Sequence, residues 1–311
     1  MAKEAESNDD GSVCVTVSDL VRLQYQARQL PLARSSKIDN VLVGRHRSSV
    51  RGRGLDFEEL RQYRQGDDIR QMDWKVTNRT RKPHVRVYAE ERERPVIVIV
   101  DQRLSMFFGS RLMMKSVAAA QMAALVGWKS LAQGDRVGSV IFNDHSISEI
   151  PARATRQHLM QTFHSLEDYG RRLKTAQQGS SAQLNHALKK VVDHAGHDAL
   201  IYLISDLDGA DERSGEYLSA LARRNSVILG FVYDPMEQNL PEGGKLAVSD
   251  GQYQVEIDTS DETLRNNFDH QFQARLTQAR QFLRARQVPV LPISAAQTVE
   301  SQLITMMSGG N

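Results

Sequence analysis

Short apolar runs alternate with longer segments of helical periodicity from residue 94 onwards. Continuous runs of four to eight apolar residues rich in Val and Ile are typical of strands buried on both faces. The pattern predicts strands at 95–100, 137–142, 199–204, 227–232 and 288–291, and helices at 111–132, 155–166, 182–195, 212–222, 261–286 and 298–306. Because strands alternate with helices, we expect a mainly parallel sheet covered by helices on both faces.

The first 93 residues follow a different pattern. Residues 1–17 are largely polar and acidic at their start and predict a disordered tail. Ser18 is placed to cap a first helix, and 84–88 alternate like a strand in an otherwise Gly- and Arg-rich segment. We therefore expect three parts: the tail 1–17, a helix and charged extension with short strands over 18–93, and an α/β domain over 94–311, interrupted by a hairpin at 245–248 and 252–257.

Composition narrows the class of protein. The chain has 311 residues, of which 40% are hydrophobic and 25% charged, with a formal net charge of +2. That near-balance argues against a chain built wholly for nucleic acid or acidic membranes. Its one cysteine, Cys14, permits neither an internal disulfide nor a cysteine-based zinc site. With no long apolar run for a membrane helix or signal peptide, we expect a soluble cytoplasmic protein.

Oxygen-bearing side chains follow two of the predicted strands. Asp101 and Ser105 come after the first buried strand, and Ser205, Asp206 and Asp208 come after the third. Ligands of open parallel sheets bind at the carboxyl ends of the strands. Carboxylate and hydroxyl oxygens suit Mg²⁺, so these strand ends are the first candidate for a functional site.

This arrangement resembles the von Willebrand factor A fold, whose metal-ion-dependent adhesion site has an Asp-x-Ser-x-Ser sequence. Asp101, Ser105 and Asp206 fall on positions of that site, but Arg103 replaces its first serine and Ala182 stands where its threonine is expected. An arginine between two aspartates can neutralise them in place of a divalent ion. A metal-free site bridged by Arg103 is therefore favoured over Mg²⁺ binding. Ordinary strand-end caps remain the alternative.

A second resemblance lies upstream, to the family known as domain of unknown function 58. The segment that carries it reads Arg-Gly-Arg-Gly-Leu-Asp-Phe-Glu-Glu-Leu-Arg-Gln-Tyr from residue 51 and Gly-Asp-Asp-Ile-Arg-Gln-Met-Asp-Trp from residue 66. The arginine at 86, an acidic pair at 90–91 and a strand ending in Asp follow it. The genomic setting of this family implies a partner, a MoxR-type AAA+ ATPase, and a client protein on which both act.

Eight residues of that segment are candidates for an ion-pair lattice or for a partner-binding surface: Arg61, Tyr63, Asp67, Arg70, Asp73, Trp74, Arg79 and Arg86. The matched opposite charges favour a lattice that locks the segment to the sheet domain, since unpaired buried charges are costly. Arg and Trp are also frequent in binding hot spots. The basic tract 45–53 leaves nucleic-acid binding open, although no nucleic-acid motif or aromatic stripe accompanies it.

The chain lacks a phosphate-binding loop and a nucleophile elbow, and we assign no catalytic residue. The sequence favours a non-enzymatic protein-interaction module, an adaptor or co-chaperone of a MoxR-type ATPase. Two alternatives stay open. One is a metal-dependent hydrolase that uses Asp101 and Asp206, and the other is a nucleic-acid-binding protein that uses residues 45–53.

Overall fold

The computed structural model describes residues 10–30, 55–64, 67–90, 94–173, 180–238, 240, 243–249, 254–267, 277 and 288–308. The chain divides into two compact units, one formed by 46–93 and the other by 1–45 with 94–311. Most of the predicted tail, the basic tract 45–53 and most of the predicted helix 261–286 lie outside the described residues.

The larger unit is built on a six-stranded sheet. Its strands are β3 (Pro95–Asp101), β4 (Arg136–Phe142), β5 (Ile147–Arg153), β6 (Leu200–Ser205), β7 (Ser226–Tyr233) and β10 (Val290–Ser294). They lie in the order β10-β7-β6-β3-β4-β5. Every neighbouring pair is parallel except β4 and β5, which are antiparallel. The mixed α/β architecture with a mostly parallel sheet is confirmed, and β5 is an edge strand that the apolar pattern did not predict.

Helices cover both faces of this sheet. In chain order the helices of the larger unit are α1 (Asp10–Val13), α2 (Val17–Ala27), α4 (Lys115–Ala132), α5 (Arg156–Arg172), α6 (Ala182–His194), α7 (Glu212–Ala222), α8 (Pro235–Gln238) and α9 (Val299–Ser308). Helix α3 (Trp74–Thr80) belongs to the smaller unit. Residues 262–267 are also helical, and β8 (Lys245–Ser249) pairs with β9 (Gln254–Asp258) as an antiparallel hairpin.

Alternation along the strands separates two hydrophobic clusters. Val96, Val98 and Val100 of β3 pack into the cluster that contains α4, whereas Ile99 packs into the cluster that contains α6 and α7. This period of two is what a strand buried on both faces requires. A Cβ on Gly230 of β7 would lie 2.6 Å from Met122 Sδ, so a glycine there lets α4 approach the sheet closely.

The N-terminal residues are more ordered than the sequence suggested. Residues 10–13 form α1, and Cys14, expected in a mobile tail, is buried and donates from Sγ to the carbonyl of Gly170. The N-cap of α2 is Thr16 and not Ser18, because Thr16 and Asp19 form a reciprocal capping box. Helix α2 packs in the larger unit, where Trp128 Nε1 donates to the carbonyl of Leu20 at 2.9 Å. The sequence had grouped this helix with the charged extension.

The smaller unit contains a two-stranded antiparallel sheet of β1 (Leu55–Gln62) and β2 (His84–Glu90). A short 3₁₀ turn, Ile69–Gln71, and helix α3 (Trp74–Thr80) connect the two strands. Asp73 caps α3 by accepting a hydrogen bond from Val76 N at 3.1 Å. Short strands were expected in this segment, but β1 and α3 were not predicted.

Candidate functional site

Parallel pairing of β3 with β6 brings the two predicted strand ends together. Val100 is in register with Ile204, so Asp101 lies beside Ser205 at the carboxyl edge of the sheet. Ser205 Oγ donates to Asp101 Oδ2 at 2.7 Å and also accepts from Leu207 N at 2.9 Å. A single hydroxyl therefore joins the ends of the two strands.

Arg103 lies against the Asp101 carboxylate. Its Nη2 is 2.7 Å from Asp101 Oδ2, its Nε is 3.0 Å from Oδ1, and its backbone N also donates to Oδ1 at 3.0 Å. The Asp101 side chain is 0% exposed and that of Arg103 2%, and the guanidinium lies over the Phe142 ring at 5.6 Å. This is a buried, forked ion pair, the geometry that an arginine side chain favours.

Asp206 is held by a cation that the sequence analysis missed. Lys115 Nζ donates to Asp206 Oδ2 at 2.8 Å, while Arg103 Nη2 is 3.8 Å from Asp206 Oδ1. Ser105 Oγ reaches the same Oδ1 at 3.4 Å, and Asp208 N donates to it at 3.0 Å. The structure thus brings together the four residues of the predicted strand-end site and adds the buried Lys115. The four are Asp101, Arg103, Ser105 and Asp206.

Lys115 extends the network to the short helix α8, which follows β7. Its Nζ also donates to Glu237 Oε1 at 2.6 Å, and Glu237 Oε2 accepts from Asp234 N at 3.1 Å. Asp234, which is fully buried, accepts through Oδ2 from Ser110 N at 2.8 Å. We call Asp101, Arg103, Lys115, Asp206 and Glu237 the paired-charge cluster; it connects the segments that follow β3, β6 and β7.

The electrostatics of the cluster favour the charged forms of Lys115, Asp206 and Arg103, but not that of Asp101. Burial acts to lower the pKa of Lys115, but the carboxylates of Asp206 and Glu237 outweigh burial and raise it. Burial acts to raise the pKa of Asp206, but the Lys115 ammonium, the Asp208 N–H group and the Arg103 guanidinium together outweigh burial, so that pKa is lowered. For Arg103 the negative charges of Asp101 and Asp206 likewise exceed the effect of burial and raise the pKa. Burial dominates at Asp101 and raises its pKa, against the opposing effect of Arg103.

The segment after β4 is anchored to the same edge by another acid. Asp144 Oδ2 accepts from Leu104 N at 2.7 Å, and its Oδ1 accepts from Ser180 N at 2.6 Å. Ala182, at the expected threonine position, is the first residue of α6 and brings no ligand oxygen on its side chain. Asp144 therefore stabilises backbone positions near the place where a threonine hydroxyl was expected.

The loop from β6 to α7 has an unusual backbone. Leu207 has φ +57° and Gly209 has φ +67°, both in the left-handed region that leucine adopts rarely. A Cβ on Gly209 would lie 2.3 Å from Ser181 Cβ, which leaves no room for a larger residue. The loop that carries Asp206 and Asp208 is therefore held in one restricted conformation.

The eight candidate residues of the segment that resembles domain of unknown function 58 divide into two groups, those in ion pairs and those without. Arg61 makes a bidentate ion pair with Asp67, with both distances at 2.8 Å, and Arg86 Nη2 is 2.8 Å from Asp73 Oδ2. Hydrogen bonds from arginine side chains and backbone N–H groups lower the pKa of Asp67 and of Asp73. Three other members of the signature, Arg70, Trp74 and Arg79, are exposed, and Tyr63 is half-buried.

Within the described residues, no group of three or more His, Cys, Asp or Glu side chains is arranged to hold a metal ion. No described helix is both long and apolar enough to cross a membrane.

Lys115, which the sequence analysis did not single out, had one signal in the sequence. A lysine at the first position of a largely apolar helix opposes the helix dipole, so it needs an acidic partner from elsewhere.

The fold and this network define an α/β protein with a cluster of paired charges at the carboxyl edge of its sheet. The chain belongs to the family described as "Protein of unknown function DUF58", which it matches over residues 59–278. Uncharacterized proteins of Mycobacterium tuberculosis and Mycobacterium bovis are 30% identical to it over 273 residues, covering 88% of this chain and 84% of theirs.

Two solved structures from Bacteroides are similar to part of the chain. BatB, a conserved hypothetical protein from Bacteroides thetaiotaomicron, is 16% identical with a TM-score of 0.38, covering 70% of this chain and 99% of that one. An aerotolerance-related membrane protein from Bacteroides fragilis is 13% identical, also with a TM-score of 0.38, covering 70% and 100%.

Proposed function

We propose that the chain is a non-enzymatic protein-interaction module with a von Willebrand factor A-like domain. In this proposal it acts as an adaptor or co-chaperone of a MoxR-type AAA+ ATPase on client proteins. The strand order β10-β7-β6-β3-β4-β5, with one antiparallel edge strand, supports the domain type. The choice of ATPase rests on the family resemblance described above and on no contact within the chain.

The observation that carries the proposal is that two protein cations already neutralise the strand-end carboxylates. A divalent ion would need the Asp101 and Asp206 oxygens that accept from Arg103 and Lys115 at 2.7 and 2.8 Å. Placing an ion there would also bring a third positive centre into a buried site. The residues present therefore do not fit Mg²⁺, and a hydrolase that depends on metal-bound water is disfavoured.

A paired-charge cluster of this kind can fix the loops that a partner contacts. In this proposal the buried, paired charges of the cluster hold the loops around them in one arrangement. Since Arg103 is only 2% exposed, a partner's carboxylate would not reach it without rearrangement. We therefore place the contact on the exposed residues of these loops, among them Asp208 and Leu112.

Capture of a purified MoxR-type ATPase from the same organism tests this proposal. Asp208→Lys reverses an exposed charge on the proposed face, and Glu216→Lys reverses one on the exposed side of α7 as a matched control. We expect capture by the natural sequence, a loss of at least about fivefold in affinity with Asp208→Lys, and no change with Glu216→Lys. No capture by the natural sequence, or equal capture by all three proteins, would contradict it.

A hydrolysis assay separates the enzymatic alternative. With p-nitrophenyl phosphate and Mg²⁺, we expect no turnover above background by the natural sequence. Mg²⁺-dependent turnover that disappears in Asp101→Asn would instead support the metal-dependent hydrolase.

A further inference from the structure

The smaller unit exposes two large apolar side chains that lie five residues apart in the sequence. Trp74 is 61% exposed and Ile69 60%, whereas the chain's other tryptophan, Trp128, is 3% exposed. A tryptophan buries a large apolar area when it finds a partner, so one left in water is a frequent anchor for binding.

Helix α3 presents the tryptophan together with positive charge. At 100° per residue, Trp74, Lys75, Asn78 and Arg79 share the exposed side of this short helix. The opposite side contains Thr77, whose hydroxyl accepts from His84 N at 3.0 Å. This hydrogen bond attaches α3 to β2 and so fixes which side of the helix is exposed.

The charges around Trp74 are not balanced. The acids Asp67 and Asp73 are already paired with Arg61 and Arg86. Five exposed cations have no hydrogen bond or ion pair from their side chains within the described part of the chain: Arg70, Lys75, Arg79, Arg81 and Lys82. Among residues 60–64 and 67–86, the part of this unit for which the structure gives side-chain exposure, one exposed acid stands against them: Asp68, which caps the 3₁₀ turn through Arg70 N.

We propose that Ile69, Trp74 and these five cations form a docking surface for an acidic polypeptide segment that carries an apolar side chain. Charge complementarity selects the acidic residues, and the exposed tryptophan and isoleucine provide contacts for the apolar one. This inference does not depend on the ATPase proposal, because it concerns the smaller unit and defines the partner only by its chemistry.

Single-stranded nucleic acid is a weaker fit to the same surface. Such binding uses successive aromatic side chains on which bases stack. Over residues 60–64 and 67–86, where side-chain exposure is given for this unit, Trp74 is the one large exposed aromatic, and its apolar companion Ile69 is aliphatic. The surface therefore favours a polypeptide.

Binding of labelled synthetic peptides to the full chain tests the proposal. The probe is a fluorescein-labelled peptide of about 12 Asp and Glu residues with one central Leu, a length that would span this short helix. Two further probes replace its acids by Asn and Gln, or its Leu by Ala. We expect the acidic Leu peptide to bind at least about tenfold more tightly than the uncharged one, and to weaken as salt is raised from about 50 to about 300 mM.

Variants locate the binding. Trp74→Ala and the pair Lys75→Glu with Arg79→Glu should each weaken the acidic Leu peptide by at least about tenfold. Lys189→Glu with Arg213→Glu makes the same change of net charge on exposed sites of the larger unit and should leave binding unchanged. Circular dichroism confirms that each variant is folded.

Acrylamide quenching of tryptophan emission gives a readout that needs no ligand. We expect the natural chain to be quenched readily, and Trp74→Phe, which retains the buried Trp128, to be quenched weakly. The proposal is overturned if Trp74 is shielded from acrylamide or if no acidic peptide binds. Equal binding by Trp74→Ala, or tighter binding of an oligothymidylate of similar length, also overturns it.

Discussion

Lys115 Nζ lies 2.8 Å from Asp206 Oδ2, although the two residues are 91 positions apart in the sequence. Lys115 begins α4, and Asp206 follows β6. This ion pair, together with Glu237, ties the first turn of the central helix to the loops after β6 and β7. The carboxyl edge of the sheet is therefore organised by a lysine as well as by Arg103.

Removing this lysine should destabilise the fold strongly. Lys115→Met keeps much of the side-chain volume but removes the ammonium that Asp206 and Glu237 share, which leaves Asp206 only the more distant Arg103, 3.8 Å away. Breaking a buried ion pair from one side costs about 3–5 kcal/mol, and urea unfolding should show a loss of that size. Lys189→Met, at an exposed site, should change the free energy of unfolding by less than about 0.5 kcal/mol.

A second variant identifies the cause of that loss. Lys115→Met combined with Glu237→Gln removes the negative charge of the carboxylate that loses its hydrogen bond from Lys115, and should recover part of the stability. If the double variant is no more stable than Lys115→Met alone, lost packing and not unpaired charge explains the effect.

Replacing Arg103 should create a response to divalent metal. In Arg103→Ser the Asp101 carboxylate loses its guanidinium, and Mg²⁺ becomes the available cation. We expect calorimetry to detect no Mg²⁺ binding to the natural chain, and Mg²⁺ to raise the melting temperature of Arg103→Ser by a few degrees. Ca²⁺ and EDTA are the controls. Tight Mg²⁺ binding by the natural chain would contradict the fit of the cluster to protein cations alone.

The lowered pKa of Asp206 predicts a specific dependence of stability on pH. Its pKa is below the ordinary value of 3.8 in the folded state, so the folded state holds this proton less tightly than the unfolded state does. The stabilisation is therefore present above the ordinary pKa and is lost as pH falls through the folded one.

Asp206→Asn isolates this contribution. The difference in unfolding free energy between the natural chain and the variant should be constant near neutral pH and shrink steadily below about pH 4. Glu216→Gln, at an exposed site, is the control for the general effect of acid. A difference that stays unchanged down to pH 2 would show that the Asp206 carboxylate does not drive it.

How far the sequence predicts this fold depends on whether a signal is local. The buried strands were found because each is a continuous apolar run, and α7 was predicted with the bounds that the structure gives it. Strand β5 was missed because it includes Pro151 and is only half-buried, which weakens its apolar pattern. Helix α4 begins at Lys115 and not at 111, since the preceding segment is held by hydrogen bonds such as that from Ser110 N to Asp234.

In the candidate site, too, the sequence predicted what depends on local signals and on strand order, but not what depends on helix packing. Asp101, Arg103 and Asp206 could be placed together because the carboxyl ends of parallel strands meet at one edge. Lys115 and Glu237 could not be assigned to them, because their pairing depends on how α4 and α8 pack. In the smaller unit the opposite charges indicated ion pairs, but not which residues form them. Asp67 and Asp73 are paired, whereas Arg70 and Trp74 are exposed.

Gly209 allows a test of the restricted loop that carries Asp206. Gly209→Ala adds a methyl group that would lie 2.3 Å from Ser181 Cβ, in a backbone with φ +67°. Gly134→Ala is a matched control, because Gly134 has φ +82° but no atom within 4 Å of its added Cβ. Left-handed strain alone costs about 1 kcal/mol, so Gly134→Ala should lose about that much and Gly209→Ala about 2–4 kcal/mol in urea unfolding. Equal losses in the two variants would mean that the loop yields readily at Ser181, and the loop would then not be held in one conformation by its surroundings.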